Sequence, residues 1–174
     1  MKSNVKRLVF AAMMAAICCA ATIVIQIPMP LSGYINLGDC MVLLCAWLPG
    51  GWLGVAAAGI GSALADFITG YTIYVPATFI IKSLMALAAW GIKSALGGKR
   101  GSQAKNILTI VLCAVCAEAI MIAGYFLYAA ILGGTLAAGI ESIPGNSVQA
   151  VAGIVIGTVA VLTVEKLKLP SSAE

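Results

Sequence analysis

The sequence predicts an all-α integral membrane protein with six transmembrane helices, a short second helix and both termini cytoplasmic. Three observations predict it. Of 174 residues, 62% are hydrophobic and only 9% charged, with a mean hydropathy of +1.09, whereas soluble chains carry roughly a quarter charged residues. A helix needs about 20 apolar residues to cross a bilayer, so the chain has room for five or six spans and no separate soluble unit. It reads as one membrane-embedded domain, 1–174. Drawn as six helices, its charges also separate by side. Lys2, Lys6, Arg7, Lys93, Lys99, Arg100, Lys105, Lys166 and Lys168 fall at or beyond helix ends on one face, and Asp39, Asp66 and Glu141 near the ends on the other. Lys/Arg excess in short loops fixes orientation, which makes the basic face cytoplasmic.

Helix one runs over about 6–27. Its basic start resembles a signal peptide, but the apolar run from Leu8 to Ile27 is as long as a span and reads as a retained helix. Ala11 and Ala15, and Ala12 and Ala16, are four apart and leave a nearly flat face. Such faces let helices approach closely in lipid, either within this bundle or against a partner.

Pro28, Pro30 and Gly33 end that helix and begin an external segment. Residues 37–48, mostly apolar apart from Asp39, leave only 12 residues before Pro49-Gly-Gly51. At 1.5 Å per residue this reaches about 18 Å, short of a roughly 30 Å hydrocarbon core. The second helix is therefore short or begins inside an external cavity. Helix three covers about 52–68 with the small residues Gly54, Gly59, Gly61 and Ser62, then turns outside over 69–76. Helix four covers about 77–96. Residues 97–103 form a polar cytoplasmic linker, and helix five extends over about 105–132. A glycine-rich external loop, 133–145, leads to helix six over about 146–167.

Two ionisable residues, Lys82 and Glu118, fall inside apolar stretches, where charge is costly and usually functional. Glu118, Met121, Tyr125 and Tyr128 recur at three- and four-residue spacing and share one helical face. Glu118 reads as a ligand-accepting carboxylate beneath aromatic rings, as the internal partner of Lys82, or as a protonated carboxyl hydrogen-bonded within the bundle. Lys82, about 9 Å into helix four, either meets the ligand or neutralises Glu118 or Asp66. Asn146 and Gln149, three apart, point the same way; Asn146 after Pro144-Gly145 also fits an N-cap. Asp39 and Asp66, near helix ends, also fit cap or loop roles. The candidate substrate-binding set is Tyr34, Asn36, Asp39, Asp66, Tyr74, Lys82, Glu118, Tyr125, Asn146 and Gln149. Together these residues supply the aromatic walls and few polar groups of a small-molecule site.

The chain has no histidine, and Cys113-x-x-Cys116 lacks the further ligands of a zinc site. No metal and no cofactor is expected. The net charge of +4 forms no nucleic-acid patch; anionic headgroups of the lipid bilayer are the simpler partner. No phosphate-cradling motif is present, so the protein does not power transport itself.

The ordered segments resemble the substrate-binding S components of energy-coupling factor (ECF) transporters, which capture vitamins. The resemblance lies in residues 11–16 (Ala-Ala-Met-Met-Ala-Ala), Tyr34-Ile-Asn-Leu-Gly-Asp39, Pro49-Gly-Gly51, residues 61–66 leading to 74–82, and Ile143-Pro-Gly-Asn-Ser-Val-Gln149. It implies a transmembrane T component and two cytoplasmic ATPase subunits as partners, and location in a prokaryotic plasma membrane. It further implies that the face of Ala11, Ala12, Ala15 and Ala16 docks on the partner. The external loops would close over a vitamin before the S component topples to release it. The branch resembled includes riboflavin, pyridoxine and hydroxymethylpyrimidine carriers. Acidic groups outnumber Lys82 around the site, which favours a neutral or cationic ring, pyridoxine- or hydroxymethylpyrimidine-like. The alternatives are a stand-alone secondary transporter, for which no internal repeat is found, and a membrane enzyme on lipid-linked substrate, for which clustered acids or histidines are missing.

Overall fold

The computed structural model describes residues 2–28, 34–96 and 103–167, with side chains from residue 4 onward. The expected external residues 29–33, the linker 97–102 and the tail from 168 lie outside the described residues, and with them Pro30, Gly33, Lys99, Arg100 and Lys168. Six α-helices carry the fold: α1 (Lys2–Val24), α2 (Gly38–Trp47), α3 (Gly51–Ile68), α4 (Val75–Leu96), α5 (Gln103–Gly133) and α6 (Leu136–Lys166). Among the described residues, five of these are long and apolar enough to cross a membrane, and α2 is not. At ten residues, α2 is about 15 Å long. It is buried over most of its length and packs against the five other helices. Because neighbouring helices surround it, a helix too short to span can still stand at membrane depth.

α1 stops three residues before the end expected for it. The residue before a proline is pushed out of helical geometry, and here Ile27 and Pro28 instead join a short strand. β1 (Gln26–Pro28) pairs antiparallel with β2 (Tyr34–Asn36), in the register Gln26 with Asn36 and Pro28 with Tyr34. This hairpin, unforeseen from the sequence, delivers Tyr34 and Asn36 over the top of α2.

A second expectation is corrected at α6. The loop expected over 133–145 is a tight turn at Gly134, in the left-handed conformation, and α6 begins at Leu136. Thr135 caps it, its hydroxyl accepting from the Ala138 N–H at 3.3 Å. Pro144 lies inside the helix. Inside a helical bundle a proline is tolerated because neighbouring helices hold the segment in place; what Pro144 removes is the N–H that would meet the Ile140 carbonyl, while the adjacent Gly139 carbonyl accepts from the Ser142 hydroxyl at 2.7 Å. Asn146 is therefore an interior helical residue and caps nothing.

Close approach through small residues holds the helices together, as expected in lipid. A Cβ added at Gly61 would lie 2.4 Å from the Ala15 carbonyl oxygen, so α3 meets α1 backbone to backbone. A Cβ at Gly54 would lie 2.2 Å from the Cys45 carbonyl, and one at Gly157 2.5 Å from Leu43. The Pro49-Gly-Gly turn that reverses α2 into α3 needs positive φ at both Gly50 and Gly51, which only glycine supplies readily.

Candidate functional site

The two ends of the bundle differ in chemistry. At the hairpin end meet the last turn of α1, the first turns of α2, α4 and η1 (Thr72–Tyr74, a single 3-10 turn), the end of α3 and facing parts of α5 and α6. Buried polar groups concentrate here. Lys82 on α4 forms an ion pair with Asp39 on α2, and both are almost fully buried. The other Asp39 oxygen accepts from Gln149 Nε2 at 2.6 Å. Gln149 Oε1 in turn accepts from the Asn36 backbone N–H at 2.8 Å and from Asn36 Nδ2 at 3.3 Å, while Asn36 Oδ1 accepts from the Gly38 N–H at 2.8 Å. One chain of bonds thus ties α4 through α2 and α6 to the hairpin. Desolvating two charges is tolerable only when the remaining lone pairs are satisfied in this way.

Lys82 is therefore partnered by Asp39; Glu118 and Asp66, the partners weighed from the sequence, do not bond to it. Asp39, weighed as a cap, instead anchors the network. Glu118 is buried on α5, and neither of its oxygens has a hydrogen-bond partner among the described residues. It is pressed against α6 where a Cβ on Gly153 would come within 2.1 Å of Oε1 and 3.2 Å of Asp39 Cβ. Its position is behind the Lys82–Asp39 pair.

In front of that pair lies a cavity of about 20 Å³ lined by Thr22, Tyr34, Asn36, Ser62, Asp66, Tyr74, Thr78, Lys82, Tyr125 and Asn146. Seven of the ten expected site residues reach it: Tyr34, Asn36, Asp66, Tyr74, Lys82, Tyr125 and Asn146. Asp39, Gln149 and Glu118 stand one layer back, the first two holding Lys82 and Asn36 in place. Thr22, Ser62 and Thr78 line the cavity as well, outside the expected set of ten. Each is a hydroxyl in an otherwise apolar helical stretch, which is the signal that picks them out.

Tyrosines wall the mouth. All five in the chain gather here: Tyr34 and Tyr71 rings lie 4.7 Å apart, Tyr71 and Tyr74 6.4 Å, and Tyr74 and Tyr128 5.4 Å, all tilted or edge-on, the arrangement aromatic quadrupoles prefer. The Tyr125 ring stands 5.5 Å from Lys82 Nζ, and its hydroxyl shares a 2.9 Å hydrogen bond with Thr78. Tyr128 donates to the Ile73 carbonyl. Tyr34 donates to Asp66 Oδ1 at 2.5 Å. Burial first, and then the Asp66 carboxylate, hold the Tyr34 hydroxyl well above its ordinary titration range, so it remains a donor.

The opposite end carries Lys93, Lys105 and Lys166, and a compact polar staple. Glu165 accepts from Trp47 Nε1 at 2.9 Å and from Asn106 Nδ2 at 2.6 Å. Lys93 donates to the Trp47 carbonyl at 2.7 Å, with its ammonium 4.6 Å from the Trp47 ring centre. On the flank, α1 and α3 border an apolar groove of about 360 Å³ lined by Leu8, Ala11, Ala12, Ala15, Ala16, Leu53 and further α3 residues. Ala11 and Ala15 pack inward as its floor, while Ala12 and Ala16 are exposed at its rim. The groove is larger than the polar cavity, but its walls offer no side-chain hydrogen-bonding group to orient a polar molecule. No cluster of three or more metal-ligating side chains occurs among the described residues.

Residues 2–166 match the family model described as ECF-type riboflavin transporter, S component. A protein of Pyrococcus woesei described as "Uncharacterized protein in gap 3'region" is 37% identical over 137 residues, 78% of this chain and 86% of that protein. Among solved structures, one described as "Structure and mechanism of the S component of a bacterial ECF transporter" superposes with a TM-score of 0.68. It shares 21% identity over 95% of this chain and 96% of the other. That likeness shows a shared fold.

Proposed function

The chain belongs to the ECF-type riboflavin transporter S component family, the multi-pass membrane subunits that bind substrate for ECF transporters, and from that premise we propose that it captures a small heteroaromatic vitamin or precursor at the hairpin end. One observation carries the reading: Tyr34, Tyr74 and Tyr125 converge with the buried Asn36, Asp66, Lys82 and Asn146 on a single cavity, and the rings of Tyr71 and Tyr128 stack on that wall. Stacking rings above a few fixed polar groups is how proteins recognise flat, polar heterocycles. Tyr34, Asn36, Asp66, Tyr74, Lys82, Tyr125 and Asn146 contact the ligand, with Asp39 and Gln149 supporting them from behind and Glu118 packed in the same rear layer. At about 20 Å³ the cavity admits a water-sized group, whereas ligand sites run to about 300–1,000 Å³. Entry of a ring therefore requires the tyrosine wall to part and reclose.

The basic end faces the cytoplasm of a prokaryotic cell, by the Lys/Arg bias of Lys6, Arg7, Lys93, Lys105 and Lys166, so the tyrosine end opens to the medium. The groove floored by Ala11 and Ala15 and rimmed by Ala12 and Ala16 receives the T component, and two ATPases supply the energy. The ring is uncharged or cationic, pyridoxine- or hydroxymethylpyrimidine-like in preference to riboflavin. Mass spectrometry of the small molecule carried through purification in detergent tests this, alongside thermal stabilisation across a vitamin panel. A ring compound and a stabilising shift are expected; a panel without effect contradicts the proposal. Uptake that persists without the ATPases would instead mark a stand-alone transporter.

A further inference from the structure

Within the tyrosine-walled cavity most polar groups are already committed. Lys82 is held by Asp39, and Asn36 by Gln149 and Gly38. Thr22 donates to the Cys18 carbonyl, and Thr78, which neighbours Asp66, is engaged with Tyr125 at 2.9 Å. Two lining atoms stand apart. Asp66 Oδ2 and Asn146 Nδ2 are buried without a hydrogen-bond partner among the described residues, on side chains 3% and 4% exposed. Buried polar atoms are paired in the great majority of proteins, and each exception calls for an explanation. These two differ in kind: a carboxylate oxygen accepts, an amide nitrogen donates. They belong to different helices, α3 and α6, and face the same cavity.

Resting on the reading of this cavity as the ligand site, we propose that Asp66 and Asn146 are its specificity-determining pair. Asp66 Oδ2 takes an N–H or O–H from the ring, and Asn146 Nδ2 donates to a ring nitrogen or carbonyl oxygen. Tyr34, by donating to Asp66 Oδ1 at 2.5 Å, fixes the carboxylate so that its other oxygen points to the ligand. The ligand class follows from the charges. Lys82, the cavity's one cation among the described lining residues, is neutralised by Asp39. A phosphate or carboxylate would therefore meet the Asp66 charge with no cation free to compensate it, a mismatch that rejects wrong partners strongly. The chain binds an unphosphorylated heterocycle bearing both a donor and an acceptor, and excludes its phosphate ester.

The test uses the full chain in detergent and follows thermal stabilisation against concentration for hydroxymethylpyrimidine, pyridoxine and riboflavin. Each is set against a counterpart with its ring-edge donor methylated and against its phosphate ester. At least one parent compound should bind roughly tenfold or more tighter than both counterparts, the size expected when a hydrogen bond to a charged group is lost. In Asp66→Ala, or in Asp66→Asn, which keeps an acceptor for Tyr34, the gap between parent and methylated form should shrink to about threefold or less. Equal binding of parent and methylated compounds by the unmodified chain would overturn the assignment while leaving the cavity as the ligand site. So would an Asp66 variant that weakens both alike. Failure of every compound to stabilise the chain, with no ring compound carried through purification, would remove the underlying reading as well.

Discussion

Both ends of this bundle hold bonded polar side chains, and they use them in opposite ways. At the basic end, Glu165, Trp47, Asn106 and Lys93 close on one another, and both Glu165 oxygens are bonded. At the tyrosine end, Asp39, Lys82, Gln149 and Asn36 form an equally closed set, but in front of it Asp66 and Asn146 keep an oxygen and a nitrogen unmatched. A satisfied network fixes structure; unmatched buried groups cost stability and are kept where something else will meet them. The contrast separates a staple from a receptor.

Removing part of the closed set behind the cavity should have the largest effect. Asp39→Ala leaves the Lys82 ammonium buried and alone, and breaking such a pair costs about 3–5 kcal/mol. Thermal unfolding in detergent should record a large drop. The double replacement Asp39→Leu with Lys82→Met should recover much of it, since two apolar groups remove the stranded charge. A double variant as unstable as the single one would show that the pair is not what holds α2 to α4.

Next in size is the opposite end. Glu165→Ala strands the Trp47 and Asn106 donors, at about 1–3 kcal/mol, and should leave ligand affinity within roughly twofold. Gly153→Ala drives a methyl into Glu118 Oε1 and should cost a similar 1–3 kcal/mol or so, but with ligand affinity falling too, because α6 carries Asn146 and Gln149. A Glu165 variant that weakened the ligand as much as Gly153→Ala would erase the distinction between the ends. The smallest expected loss is Tyr34→Phe, about 0.5–1.5 kcal/mol of stability. Binding should suffer more than folding, as the freed Asp66 carboxylate loses its orientation.

Much of this was legible in the residues because membrane helices announce themselves by apolar length, and α3, α4 and α5 begin and end within two residues of their expected bounds. The short α2 followed from only 12 residues between the proline-containing segment 28–36 and Pro49-Gly-Gly51. Asn146 and Gln149 were placed on one face by spacing alone, and both turn inward. What failed depended on tertiary context. Proline and glycine at 144 and 145 signal a break in isolation, yet bundle packing and the Thr135 cap carry α6 through them. The partner of Lys82 lies 43 residues away across α2 and α4, and nothing local ranks Asp39 above Glu118 or Asp66. The hairpin β1–β2 was hidden because three-residue strands leave no periodicity.

The account stands on which end meets the medium, and two exposed positions report it together. Thr72, in the turn beside the tyrosines, and Ser94, near the end of α4 at the basic end, can each be replaced by cysteine and probed with a membrane-impermeant maleimide. The six native cysteines are buried or partly buried and set the background. Thr72→Cys should label in intact cells, more slowly once ligand is added, and Ser94→Cys only after permeabilisation. Labelling of Ser94→Cys in intact cells, with Thr72→Cys protected until the membrane is opened, would turn the receptor toward the cytoplasm and contradict the account.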